Sequence, residues 1–197
     1  MSDQDDVEIG YFFTASSTKL VIMSLFTLGW YVLYWFYQNW HFISLRSSRS
    51  ISPLWRTVFN IFWIYPLFSQ IATEAKACGI AVRRGLLQFL AALLILDEIA
   101  VSIGRASREE DAAATIAFIA FSMIGIAIVA IANRVALNVN LRRVHNYSYN
   151  MKFTRVNVGW IGFVVLILVS GTVLIALDNG HRGGATAPSS YRNIRQP

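Results

Sequence analysis

Hydrophobic and polar positions in this chain fall in blocks rather than alternating residue by residue. Four blocks, residues 20–40, 86–103, 112–133 and 156–177, are almost wholly apolar. A helix needs about 20 such residues, rising ~1.5 Å each, to cross a hydrocarbon core. The first, third and fourth blocks contain no charged residue, and the second contains Asp97 and Glu98. None shows the period-2 pattern of a barrel strand. In lipid only helices and closed barrels satisfy their own backbone. The pattern therefore predicts four transmembrane α-helices.

Residues 54–72 form a fifth, less regular block. Trp55, Phe59, Phe62, Trp63, Tyr65 and Phe68 make it aromatic, and Arg56, Asn60, Pro66, Ser69 and Gln70 interrupt it. Trp and Tyr favour the headgroup interface, and Pro66 removes a backbone donor. The expectation is an interfacial or re-entrant helix, broken near Pro66, with its aromatics toward lipid. The predicted fold is all-α: a polytopic integral membrane protein with four transmembrane helices and one aromatic interfacial or re-entrant helix. Its membrane domain, residues 18–177, lies between an acidic segment, 1–17, and a basic tail, 178–197, whose Gly, Ser and Pro content predicts disorder.

Composition supports this choice of solvent. Hydrophobic residues make up 55% of the 197 and charged residues only 14%, where a soluble domain carries about 25% charged. The acidic start, with Asp3, Asp5, Asp6 and Glu8, is unlike a signal peptide. A single cysteine, Cys78, excludes an internal disulfide. The net charge of +6 is read as cytoplasmic-side Lys and Arg facing anionic lipid rather than nucleic acid.

Charge also sets the expected orientation. If residues 54–72 do not cross, Arg46, Arg49, Arg56, Lys76, Arg83, Arg84, Arg134, Arg142, Arg143, Lys152 and Arg155 share one side. Lys19, Arg105, Arg108, Arg182, Arg192 and Arg195 share the other. If the block does cross, the bias vanishes. The positive-inside rule then favours four spans, with both termini and the loop after Arg105 periplasmic.

Few residues stand out chemically. Asp97 and Glu98 lie just past the middle of an apolar helix, where an acid costs about 2.5–3.5 kcal/mol on insertion scales. One reading makes them an ion or proton site. The other ends the span near Leu96 and puts both acids among the headgroups. Asp97 shares a helical face with Leu94 and Val101, which offer it no hydrogen bond, so it would need water or a neighbouring helix. Trp30, Tyr31, Tyr34, Trp35, Phe36, Tyr37 and Trp40 read as an aromatic belt anchoring the first span, or as a stacking surface for a headgroup, sugar or quinone. Ala113, Ala117, Ala120, Ala127 and Ala130 form a small-residue stripe for helix packing. His41, His145 and His181 lie in separate segments without metal-site spacing. No serine-hydrolase, P-loop or dinucleotide motif occurs. No catalytic, cofactor-binding or metal residue is assigned, and no cofactor is expected.

The string Thr27-Leu28-Gly29-Trp30-Tyr31, continued by Tyr34-Trp35-Phe36-Tyr37-Gln38-Asn39-Trp40, resembles the end of the first span in a family of small uncharacterised bacterial membrane proteins. Ile51-Ser52-Pro53-Leu54-Trp55-Arg56, Asn133, Asn138 and the stretch from Phe153-Thr154 to Trp160 fit the same family more loosely. Arg155-Val156 departs from its aromatics. The resemblance covers most of residues 11–177. It implies a multi-pass protein of the bacterial inner membrane and adds no reaction. The sequence-level expectation is a non-enzymatic scaffold or accessory component. Its partners would be the lipid bilayer, other membrane proteins or further copies of itself, and no nucleic acid. The alternative is a small proton- or ion-coupled transporter or channel using Asp97 and Glu98.

Overall fold

The computed structural model describes residues 10–106 and 112–184, apart from 49, 84, 146, 149 and 151. These residues form seven helices: α1 (Ser17–Phe26), α2 (Trp30–Arg46), α3 (Pro53–Val58), α4 (Asn60–Ala77), α5 (Leu86–Ala106), α6 (Ala112–Arg143) and α7 (Arg155–Gly184). Among the described residues the only β pairing is an isolated bridge between Ala15 and Asn150. The chain divides into two units, residues 1–154 and residues 155–197. Among the described residues, three helical segments are long and apolar enough to cross a membrane: Leu86–Ile103, Ile119–Arg143 and Arg155–Leu174.

The expected first span, residues 20–40, is not one helix. Ser16 caps α1 by accepting from the Lys19 amide at 3.1 Å. Ten residues later α1 stops. The Gly29 amide donates to the Ser24 carbonyl at 2.8 Å and the Leu28 amide to the Leu25 carbonyl at 3.1 Å. This is a Schellman closure, whose pivotal residue is normally glycine because it sits at positive φ. Here that residue is Leu28, at φ 50°, followed by Gly29 at φ 89°. Thr27 joins the two helices. Its hydroxyl donates to the Met23 carbonyl at 2.7 Å and accepts from the Tyr31 amide at 2.9 Å. The chain then returns as α2, whose last residue, Arg46, donates to the Gly10 carbonyl at 3.1 Å. Residues 17–46 are therefore a helical hairpin whose last residue lies beside residues 10 and 11, on the segment that leads into it.

The aromatic block also differs from its expected form. The break falls between α3 and α4 at Phe59, with φ −101° and ψ 41°, while Pro66 lies inside α4. Proline inside a helix removes one internal hydrogen bond and crowds the preceding turn, yet α4 continues through Pro66. Ile64, Leu67, Phe68, Ile71 and Ala75 form the buried stripe of α4. Trp55, Phe59, Phe62 and Tyr65 are exposed. Gly79 at φ 67° closes α4 in a second Schellman motif, through Ile80 to Ala75 and Gly79 to Lys76.

Helix α5 packs against α4 and α6, and α6 also receives α1 and α4. The buried face of α6 carries Gly125, Val129, Ala132, Asn133, Ala136 and Asn140, which recur at helical spacing. The alanine stripe lies elsewhere. Ala117, Ala120 and Ala127 are exposed and Ala130 is half-buried, so most of the stripe lies off the face that packs the first unit, and the side chain of Ala113 lies outside the described residues. Helix α6 runs ten residues past the expected end at 133. Helix α7 runs to Gly184, so residues 178–184 are helical where disorder was expected, and 185–197 lie outside the described residues.

Candidate functional site

The polar chemistry of the first unit centres on an extended strap, residues 10–16, laid along α6. Two asparagines of α6 hold it as a neighbouring β-strand would. The Asn140 side chain accepts from the Phe12 amide at 3.0 Å and donates to the Phe12 carbonyl at 2.7 Å. Asn133 accepts from the Ala15 amide at 3.2 Å and donates to the Ala15 carbonyl at 2.7 Å. Two facts of geometry make the pairing fit. Seven helical residues rise about 10.5 Å and turn to within about 20° of the same face. Three extended residues span about 10 Å. Both asparagines are fully buried.

The other side of the strap is held by α2 and by Tyr147 and Asn150, though the buried Asn39 Oδ1 has no partner among the described residues. Asn39 of α2 donates to the Phe13 carbonyl at 3.2 Å and to the Trp35 carbonyl at 2.9 Å. Asn150 exchanges backbone bonds with Thr14 and Ser16, each at 3.3 Å. The Thr14 and Tyr147 hydroxyls share a bond of 2.7 Å. Gly10 lies so close to Tyr147 that a side chain there would meet its ring at 2.4 Å. Trp35 completes the arrangement by donating its indole N–H to Asn133 at 3.0 Å. One asparagine thus ties strap, hairpin and α6 together. Buried backbone outside a helix persists only when such partners are supplied.

These contacts correct the aromatic belt. Tyr31, Trp35 and Trp40 are buried, with Phe36, and belong to the core. Trp30, Tyr34 and Tyr37 are exposed and remain available to an interface. Trp40 meets Trp63 edge to face at 5.9 Å. The Arg56 guanidinium lies 4.3 Å from the Trp40 ring and 4.1 Å from the Trp63 ring, a double cation–π contact. Burial against these rings lowers the guanidinium pKa from its usual value.

Basic groups gather where the strap begins. Arg46 also donates to the Tyr11 carbonyl. Arg46 and Arg143 lie 4.4 Å and 4.9 Å from the Tyr11 ring. Arg143 pairs with Glu74 at 2.7 Å, and Arg142 donates to the Cys78 carbonyl at 2.8 Å. The ends of α2, α4 and α6 therefore meet in one arginine-rich cluster. Lys19, in the first turn of α1, is fully buried. Its ammonium donates to the Asn150 side chain at 2.6 Å and to the Lys152 carbonyl at 2.7 Å. Burial holds it below the ordinary lysine pKa.

Asp97 sits apart from this network. It is 8% exposed, and its Oδ1 has no hydrogen-bond partner among the described residues. It packs against α6 at Gly125, where a Cβ would lie 2.7 Å from the carboxylate Oδ2. Glycine at 125 leaves the room the acid occupies. Glu98, the next residue, is half-buried and accepts the Ser102 hydroxyl on its backbone carbonyl at 2.7 Å. Among the described residues no three His, Cys, Asp or Glu side chains cluster as metal ligands would.

Sequence reasoning did not single out Asn39, Asn140, Lys19, Arg56 or Tyr147. The available signal was the seven-residue interval between Asn133 and Asn140 within an otherwise apolar helix. Asn138, noted beside Asn133, is exposed, about 140° around the helix from it. Comparison with protein-family models, with curated proteins and with solved structures finds no match.

Proposed function

We propose that this chain is a multi-pass protein of the bacterial inner membrane that acts as a non-enzymatic scaffold or accessory component. The observation that supports this reading is the use made of its buried amides. Asn39, Asn133 and Asn140 are all directed at the chain's own backbone, where they fix a shape rather than present groups to a substrate. Three helices of crossing length carry long exposed apolar surfaces, which fit lipid and membrane-protein partners. The bacterial placement rests on the resemblance carried by residues 27–40.

A second reading has one specific observation behind it. Asp97 is a buried acid on a crossing helix with an unpartnered oxygen, as in proton- or ion-coupled membrane proteins. One pair of measurements separates the two. A scaffold co-purifies in mild detergent with a membrane-protein partner in fixed ratio and leaves the pH inside proteoliposomes unchanged. If the purified chain dissipates a pH gradient in proteoliposomes and Asp97→Asn abolishes that flux, the scaffold reading is wrong.

A further inference from the structure

We infer that residues 17–46 form a re-entrant hairpin that dips into the bilayer from its cytoplasmic face, entering and leaving on the side of Arg46, Arg142 and Arg143. The inference rests on the membrane reading above and goes beyond it. The first apolar block then does not cross, and the segment preceding it lies on the same side as the segment following it.

Four observations carry this. The first is connectivity: Arg46, at the end of α2, bonds the Gly10 carbonyl at 3.1 Å, and Asn39, two turns earlier, bonds the Phe13 carbonyl. A chain that had crossed by residue 40 could not meet residues 10–13 there.

The second is length. Helix α1 has 10 residues and rises about 15 Å, half of a hydrocarbon core of about 30 Å. Helix α2, the longer limb, has 17 residues and rises about 25 Å, so both limbs reach the bilayer interior and neither traverses it.

The third is the surface of the tip. Leu25, Leu28 and Trp30 are exposed at 43%, 86% and 72%. The polar groups of the turn are closed inward by the Schellman bonds and by Thr27. Such a tip suits acyl chains, where an unsatisfied backbone group costs several kcal/mol.

The fourth is charge. The Arg46 end of the hairpin and the start of the strap that leads into it meet the Arg142–Arg143 pair, a cluster that complements the anionic headgroups of a cytoplasmic leaflet. Lys19, bonded to the Lys152 carbonyl, now joins the side that holds Lys152. Of the 17 Lys and Arg, only Arg105, Arg108, Arg182, Arg192 and Arg195 remain opposite. The positive-inside bias is stronger than for four spans.

Single cysteines test the inference in a Cys78→Ser chain, since serine keeps an acceptor for the Arg143 N–H that Cys78 receives at 3.2 Å. Ser2→Cys, Leu28→Cys, Ser48→Cys and Ser107→Cys are treated with a membrane-impermeant maleimide in spheroplasts and in inside-out vesicles. Ser2→Cys and Ser48→Cys should both label only in inside-out vesicles, and Ser107→Cys only in spheroplasts. Leu28→Cys should lose labelling in both and recover it in detergent. Labelling of Ser2→Cys and Ser48→Cys from opposite faces, or of both from outside, overturns the hairpin, as does labelling of Leu28→Cys in spheroplasts. These outcomes leave the membrane reading intact. Recovery of the chain in the soluble fraction after carbonate extraction overturns both.

Discussion

Replacing Asn133 with leucine removes the joint between strap, hairpin and α6. Leucine has nearly the shape of asparagine, so the change leaves little cavity and isolates the hydrogen bonds. Three buried groups lose their partner: the Ala15 amide, the Ala15 carbonyl and the Trp35 indole N–H. An orphaned buried group costs about 1–3 kcal/mol. For three groups the loss is about 3–9 kcal/mol. The smaller average found for interhelical bonds in membranes, ~0.6 kcal/mol each, sets a floor of about 2 kcal/mol. Either value is a large share of a typical stability of ~5–15 kcal/mol. Asn140→Leu should cost less. It orphans only the two Phe12 groups, and the Tyr147 hydroxyl already lies 3.4 Å from that carbonyl. Asn138→Leu changes an exposed position and should stay within about 0.5 kcal/mol of the parent. The assay is reversible unfolding in mixed micelles at rising SDS fraction, followed by helical circular dichroism. Chymotrypsin cleavage at residues 11–13 reports release of the strap independently. If Asn133→Leu unfolds at the same SDS fraction as Asn138→Leu, the amide clamp does not hold the fold.

Three other substitutions test other joints. Gly125→Ala gains about 1 kcal/mol of helix propensity but drives a Cβ to 2.7 Å from the Asp97 carboxylate. Overpacking of about 1–3 kcal/mol should prevail, lowering the melting temperature in detergent, and adding Asp97→Ala should restore it; a rise with Gly125→Ala alone would refute the contact. Arg56→Leu removes a cation from two tryptophan faces at 4.3 and 4.1 Å and should cost about 1–3 kcal/mol with a change in tryptophan emission; unchanged stability and emission would show that the stack contributes nothing. Leu28→Gly relieves a left-handed conformation that costs an L-residue about 1–2 kcal/mol. After the entropy cost of glycine it should stabilise by about 0.5–1 kcal/mol in detergent, and a loss of stability would refute the turn.

The crossing helices were legible because a lipid solvent imposes a length and a composition that few sequences meet by accident. Residues 86–103 begin and end where α5 has its apolar window; α6 begins at 112, but its crossing window, Ile119–Arg143, runs ten residues past the expected end. The first block failed for an identifiable reason. Hydropathy over 20–40 records that every residue tolerates lipid, and it is blind to the direction of the chain. The turn rests on Leu28 at positive φ, a conformation that leucine does not advertise. The same motif at the end of α4 uses Gly79 and was open to reading. Proline misled in the opposite sense. Pro66 marked a break that the buried stripe of α4 overrides, while the break at Phe59 carries no breaker residue.

The strap shows where such information is written. Residues 10–16 contain no pattern that announces a buried extended segment, since their backbone groups look alike in any sequence. The requirement falls on whatever lies alongside. A buried extended chain needs a donor and an acceptor at intervals of about 10 Å for every three residues that face one neighbour. A helix can present a primary amide at that interval only at positions seven apart. Asn133 and Asn140 meet the condition, and Asn138 does not. In an apolar helix each asparagine is costly unless fully bonded, so two at a heptad interval on the buried face point to a foreign backbone beside the helix. The signature of the strap is thus carried some 120 residues away, on α6, and the identity of the segment it binds follows only from the fold.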